Sequence, residues 1–175
     1  RSTFAHNTAT VDGLDQSVSG GNFLWTRKAN ARALAFEFEG HRQRFEGMHD
    51  GYVRLPDSVV HRRTIEFDTV RNEFTIEDRF ECSGSHIVEI CWHFPEYCSV
   101  NASDTGARVS AKDGPSAVFV TDPPRPPELI AKGQADRPAG WISYAYDIKL
   151  PTYTAVWRSE IRGSTRIVTR IRIEF

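Results

Sequence analysis

Histidine, cysteine, tyrosine and carboxylate side chains are the groups that can bind metal or move protons near neutral pH. Here their spacing excludes more than it builds. The six histidines, His6, His41, His49, His61, His86 and His93, are dispersed and form no local metal motif. Cys82, Cys91 and Cys98 show no Cys-x-x-Cys spacing and no Cys/His ladder, which argues against a zinc ribbon. Their odd, small number is also unlike a disulfide framework, and we read them as three buried free thiols. If Ser83-Gly84-Ser85 closes a three-residue hairpin, Cys82 lies opposite His86 and Cys91 falls on the other sheet face, out of bridging reach. His86 at that turn and His61 beside Arg62-Arg63 read as surface or capping residues. His93, adjacent to Trp92, reads as a strand histidine satisfied by a hydrogen bond.

Eighteen of the 22 basic residues are Arg. Guanidinium forks suit bidentate recognition of carboxylate or sulfate, as on an acidic polysaccharide, but a bare Arg excess equally reflects genomic base composition. The basic residues face 23 acidic ones, for a net charge of -1. A generic nucleic-acid binder carries a basic excess, so that class is disfavoured. The longest stretch without a charge, Gln16 to Thr26, is 11 residues, against the ~20 of a membrane helix.

The elements that must position these groups are strands. At 175 residues the chain is read as one domain, 1–175. Apolar residues alternate with polar ones in segment after segment, and no window of helical length sustains a 3.6 period. Leu34, Phe36 and Phe38, then Ile65 and Phe67, then Phe74, Ile76 and Phe80 each predict a half-buried strand. Ile167, Thr169, Ile171, Ile173 and Phe175 share one face of a last strand that this pattern places inside a sheet. Strands are expected near 23–28, 31–39, 42–53, 61–68, 73–82, 86–94, 106–112, 117–121, 140–149, 153–162 and 165–175, with a further one over 7–11. Five prolines make Thr121–Ala139 a surface loop crossing between sheets. About a dozen short strands in one domain predict an all-β antiparallel β-sandwich. If residues 69–72 form a four-residue loop, Phe67 faces Phe74, Ile65 faces Ile76, and Arg63 faces Asp78 on the core side, where the carboxylate requires a charged partner.

Two clusters, Arg1-Ser2-Thr3-Phe4-Ala5-His6-Asn7-Thr8-Ala9-Thr10-Val11-Asp12-Gly13 running on to Ser17 and Gly47-Met48-His49-Asp50-Gly51-Tyr52-Val53-Arg54-Leu55, followed by His61-Arg62-Arg63, resemble the heparinase II/III family. In that family a His-Asn-Thr-x-x-Val-Asp-Gly segment opens the later part of the C-terminal β-sheet domain. The likeness covers most of the first 98 residues or so; beyond Cys98 it rests on strand pattern.

The resemblance implies a polysaccharide lyase that cleaves uronic-acid-containing glycans by β-elimination. Such chemistry needs the uronate carboxylate neutralised, a base for the C5 proton and an acid for the leaving oxygen. In the family these come mainly from an α-helical toroid, so the catalytic residues are not assigned within this chain. The resemblance makes His6 one of three ligands to a structural zinc, the other two, a His and an Asp, lying upstream in a stretch this chain lacks. Zinc is therefore expected in the parent protein and no cofactor in this piece. His49 and Tyr52 are the candidate substrate-binding residues, with a structural role in a strand-and-turn unit bulged at Gly51 as the alternative.

The implied partners are an acidic polysaccharide and the missing N-terminal toroid, with a homodimer left open and neither nucleic acid nor membrane expected. Arg1 in place of Met marks a processed chain or an excised piece, expected to be inactive alone, and no secretory signal is visible. The resemblance favours a periplasmic or extracellular location over a cytoplasmic one. The competing readings are a carbohydrate-binding module, with Trp25, Trp141 or Tyr144 stacking on sugar rings, and a purely structural sandwich.

Overall fold

The alternating pattern resolves into sixteen strands in the computed structural model, which describes residues 2–135 and 139–175. Arg1 and Pro138, both part of the sequence readings above, lie outside the described residues. In chain order the strands are β1 (Ala9–Val11), β2 (Val18–Ser19), β3 (Trp25–Arg27), β4 (Ala31–Glu39), β5 (Arg42–Tyr52), β6 (Val59–Asp68), β7 (Glu73–Glu81), β8 (Ser85–His93), β9 (Cys98–Ser103), β10 (Gly106–Ala111), β11 (Ser116–Asp122), β12 (Leu129–Lys132), β13 (Trp141–Ile142), β14 (Leu150–Pro151), β15 (Tyr153–Arg162) and β16 (Thr165–Glu174). An eight-stranded sheet, β4-β5-β6-β7-β16-β11-β10-β9, packs on a four-stranded one, β1-β8-β15-β12, and every named pairing is antiparallel. Tyr52, Val59, Phe80 and Ile167 of the large sheet meet Val11, Val88, Ile90 and Trp157 of the small one in the core. Among the described residues no helix is long and apolar enough to cross a membrane.

The β6–β7 register is the expected one, with Phe67 opposite Phe74, Ile65 opposite Ile76 and Arg63 opposite Asp78. The turn that sets it has Asn72 in the left-handed region at φ 51, a conformation asparagine tolerates better than most residues. β16 lies between β7 and β11 as its pattern predicts, although Phe175 falls past its end and is exposed.

Other expectations are corrected. Ser83-Gly84-Ser85 is a crossover and not a hairpin, because β7 pairs with β6 and β16 while β8 pairs with β1 and β15. The three cysteines are free, but the opposite-face argument is not the reason, and only Cys91 is fully buried. The proline-rich crossing contains β12, an edge strand on β15 that begins after Pro127, where the missing N–H groups end. The strand expected over 140–149 reduces to Trp141–Ile142, paired with Leu150–Pro151. β9, small-residued with only Val100 deeply buried, escapes the alternation rule.

The small sheet does not cover the whole of the large one. Phe36, Phe45, Ile65 and Ile76 form one row across β4, β5, β6 and β7, and exposure along it falls from 70% at Phe36 to 38% at Phe45 and 3% at Ile76. β4 is therefore an edge strand with an uncovered apolar face, where half-burial was expected. Leu34 lies at a bulge, between the Ala33–Gly47 and Ala35–Glu46 pairs.

Candidate functional site

The His6-Asn7-Thr8 segment follows a single 3-10 turn, Thr3–Ala5, and docks on the end of the small sheet. Asn7 Oδ1 accepts the His93 N–H at 2.7 Å, Asn7 O accepts Arg63 Nη1 at 2.6 Å, and Thr8 O accepts the Cys91 N–H at 3.0 Å. The His6 ring is exposed, with Nδ1 2.9 Å from Ser2 O. His93 lies between Phe4 O and Thr154 Oγ1, each 2.8 Å away, so the hydrogen-bonded strand histidine is as expected. A carbonyl only accepts, so Nε2 carries the proton and Nδ1 takes the Thr154 hydroxyl. Burial holds the His93 pKa below the ordinary histidine value.

Arg63 connects this segment to a buried relay. Its Nε and Nη2 donate to Asp78 Oδ1 and Oδ2 at 2.7 and 2.9 Å, a bidentate fork. His61 Nε2 lies 2.6 Å from Asp78 Oδ1, and His61 Nδ1 lies 3.0 Å from His49 Nε2. The Gly51 N–H occupies the remaining His49 nitrogen, Nδ1, at 3.2 Å. The protons follow in sequence: His49 carries one on Nε2 and donates to His61, which carries one on Nε2 and donates to Asp78. Burial and the neighbouring His61 push the His49 pKa down to about 4. Burial alone would raise Asp78, but the Arg63 charge and the bonds from His61 and Arg63 hold it at about 2. Every nitrogen of the relay is engaged, so it positions groups and leaves none free as a base.

His61 is thus buried, not a surface or capping residue, and the parity of β6 shows why. His61, Arg63, Ile65 and Phe67 share one face, and that face is the core side. His86 is likewise buried, between Asp12 and Asp57.

The His49-Asp50-Gly51-Tyr52 unit fastens the 9–17 turn. Register between β5 and β6 shifts between His49 and Tyr52, the bulge expected at Gly51. A side chain at Gly51 would come within 2.7 Å of the Gln16 carbonyl oxygen, so the close approach of the two backbones requires glycine. Asp50 accepts the Asn30 N–H at 2.7 Å and Asn30 Nδ2 at 2.9 Å. Tyr52 is fully buried, and its hydroxyl reaches Leu14 O at 3.0 Å and Ala9 O at 3.3 Å. Arg54 donates to the carbonyls of Asp15, Gln16 and Gly51.

His6 and His49 do not touch; they are joined through Asn7, Arg63, Asp78 and His61. His49 and Arg63 line an open groove with Thr8, Gln16, Phe45 and Met48. Around His6 the described residues assemble no zinc ligand set, since a structural site needs three or four ligands and the grouping of three metal-binding side chains they contain, Asp57, Cys82 and His86, does not include it.

The Arg excess makes no cationic cradle on the outer face of the large sheet. There Arg44 meets Glu37, Glu46 and Glu66, Arg62 meets Glu46, Arg79 and Arg166 meet Glu77, and Arg108 and Arg172 meet Glu174. The aromatics proposed for sugar stacking are spread over separate elements. Trp25 is on the two-stranded β2–β3 unit, Trp141 is capped by Lys149 at 3.8 Å, and the Tyr144 hydroxyl donates to Glu96 at 2.6 Å.

Residues 1–173 match the family described as Heparinase II/III-like, C-terminal. Among solved structures, the chain is similar to the heparan sulfate lyase HepC from Pedobacter heparinus, with 16% identity over 99% of this chain and a TM-score of 0.71. A heparinase III superposes over 99% at 14% identity with a TM-score of 0.73, and a heparinase III gene product over 99% at 22% identity with a TM-score of 0.71. The matched part is 25% of the first of those chains and 24% of each of the others, so this chain spans about a quarter of their length. No curated protein sequence matches significantly.

Proposed function

The chain belongs to the heparinase II/III-like, C-terminal family, and from that premise we propose that it is the C-terminal β-sandwich of a polysaccharide lyase that cleaves uronic-acid-containing glycans by β-elimination. The family match over residues 1–173 carries this reading. The uncovered row from Phe36 to Phe45 supports it, because an apolar sheet face left open in a single domain marks a surface that another part of a protein covers.

In this reading the base, the acid and the group that neutralises the uronate come mainly from a helical toroid outside these 175 residues. The sandwich contributes a rigid wall. Arg63 and Asp78 lock the His6-Asn7-Thr8 segment against β6, which holds the exposed His6 ring at a fixed place on the surface. His49 lines the adjoining groove with both ring nitrogens engaged by His61 and Gly51, so it shapes that wall and presents a ring face to the cleft of the parent protein. Tyr52 acts through the turn that it anchors.

The test compares the purified chain with the longer polypeptide encoded by its gene, on heparan sulfate and other polyuronides, following the ultraviolet absorbance of the unsaturated uronate product. Turnover by the longer form alone is the expected result. Appreciable turnover by the 175-residue chain, or an upstream sequence with no helical domain, would overturn the reading.

A further inference from the structure

Five segments converge at the crossover from the large sheet to the small one. Cys82 follows β7, His86 is the second residue of β8, Asp57 lies between β5 and β6, Asp12 lies in the turn after β1, and Gly163 lies in the turn between β15 and β16. The His86 ring is nearly buried, with Nδ1 2.7 Å from Asp12 Oδ2 and Nε2 2.8 Å from Asp57 Oδ2. Asp12 is fixed: its Oδ1 accepts the Ile87 N–H at 2.9 Å, and its own N–H donates to Ile87 O at 2.7 Å. Asp57 Oδ2 also accepts the Gly84 N–H at 2.6 Å, and a side chain at Gly84 would come within 2.9 Å of that oxygen. The Cys82 thiol donates to Gly163 O at 3.1 Å. One donor atom from each of Asp57, Cys82 and His86 lies within 4.8 Å of the others.

We propose that this cluster is a zinc site in which Cys82 Sγ, His86 Nε2 and an Asp57 carboxylate oxygen hold one ion, with solvent as the fourth ligand and Asp12 orienting the imidazole. Thiolate, imidazole and carboxylate donors together suit a borderline-soft divalent cation, and three protein ligands with one open position is an established zinc arrangement. A metal-bound histidine almost always donates its other ring N–H to a carboxylate, a backbone carbonyl or water, and Asp12 Oδ2 is placed to accept it from Nδ1. Asp57 is a third exposed, which gives the ion a path from solvent. The site is separate from His6 and does not depend on the lyase reading.

Two other accounts fit the geometry less well. A cysteine nucleophile needs a base aimed at the thiol, but both His86 nitrogens face carboxylates. Burial and the nearby carboxylates moreover raise the Cys82 thiol pKa instead of favouring a thiolate. A plain ion bridge, with an imidazolium between two aspartates, accounts for His86, Asp12 and Asp57 but not for the placement of the Cys82 sulfur within reach of both His86 and Asp57.

The exchange balances. In the metal-free site each ring nitrogen faces a carboxylate; in the imidazolium form each carries a proton, and the thiol carries a third. Zinc entering as a dication displaces the Nε2 proton and the thiol proton, Nδ1 keeps its own, and the net charge of the cluster is unchanged.

The experiment titrates the chelator-treated chain with Co²⁺ and Zn²⁺, using absorption and calorimetry in buffers of different ionisation enthalpy. Expected are one ion per chain, a thiolate-to-cobalt charge-transfer band that zinc abolishes, and release of about two protons per zinc. Cys82→Ser and His86→Gln should each remove the band. Asp12→Asn should keep the band and weaken zinc by about 10–100-fold, while Cys91→Ser and His6→Ala should change neither. Absence of binding, a band that survives Cys82→Ser, or a band lost with His6→Ala would overturn the proposal. If Cys82→Ser does not fold, alkylation of the natural chain read by mass spectrometry decides instead: zinc should protect Cys82, and equal labelling with and without zinc would overturn the site.

Discussion

Asp78 is wholly enclosed and faces Arg63 across β6 and β7, held by two parallel bonds of 2.7 and 2.9 Å. The same guanidinium reaches Asn7 O, so one ion pair ties the N-terminal segment to the large sheet. A buried pair of this kind is strongly destabilising to break from one side, because the remaining charge loses its compensation. Asp78→Ala should therefore cost about 3–5 kcal/mol in urea unfolding. Removing Arg63 as well should cost less than the two single losses combined, giving a coupling energy in a double-mutant cycle. A cost for Asp78→Ala below about 1 kcal/mol, within the ordinary range for an arbitrary substitution, would mean that the pair does not hold the sheet.

The relay also sets an acid limit on stability. Asp78 has its folded pKa lowered from 3.8 to about 2, so its contribution is complete above pH 3.8 and is lost as pH falls toward 2. His49 has its folded pKa lowered from 6.5 to about 4; the unfolded chain binds the extra proton in that window, so stability again falls as pH drops from 6.5 to 4. His86 acts in the opposite sense. Its hydrogen bonds to Asp12 and Asp57 outweigh the effect of burial and raise its pKa, so the metal-free site stabilises at low pH and loses that contribution as pH rises through the folded value. His49→Gln should flatten the stability profile between pH 6.5 and 4, by about 3 kcal/mol, and leave the Asp78 limb below pH 4 in place. An unchanged slope between pH 6.5 and 4 would remove His49 from the account.

What was legible in the sequence follows from where the information is local. Alternation marks β5, β6, β7, β15 and β16, and the turn at residues 69–72 sets the register that brings Arg63 to Asp78. The parity that predicted Arg63 as a core-side residue applies equally to His61, two positions earlier, so the second half of the relay was available from the same face. The Ser83-Gly84-Ser85 segment is different. A flexible three-residue connection has the same composition whether it returns beside its own strand or crosses to another sheet, and the choice is made by the partners of β7 and β8. The proximity of Cys82, His86, Asp12 and Asp57 depends on that crossover and was not readable from their spacing. Coverage of a strand is also a tertiary property: Phe36 and Phe38 alternate as regularly as Phe67 does, yet the small sheet stops short of β4.

The thiols give a direct check on the cysteine placement. All three are free, with Cys91 fully buried and Cys82 and Cys98 partly accessible. Titration of the unfolded chain should find three thiols, and in the native, metal-free chain Cys91 should be the slowest to react. Finding one thiol per unfolded chain would reveal an internal bridge, incompatible with three free cysteines.

The last prediction concerns the uncovered end of the large sheet. Phe36 and Phe38 pack edge to face on each other at 4.8 Å, Phe36 is 6.4 Å from Phe45, and all three lie on β4 and β5 at the margin of the sheet. Phe36 and Phe38 remain 70% and 63% exposed, so little of their area is removed from water on folding. Their loss should cost the isolated chain little. A nine-residue edge strand with an apolar face is, however, a template for pairing with another chain. Phe36→Ser combined with Phe38→Ser should leave urea stability within about 1 kcal/mol, since exposed substitutions rarely do more, and should reduce concentration-dependent association measured by light scattering or sedimentation. If the proposed lyase reading holds and the rest of a longer polypeptide covers this face, the same pair should be costly in that longer form. A large loss of stability in the isolated chain would show that the rings are already buried. No loss in the longer form would show that this face is not where the proposed helical domain docks.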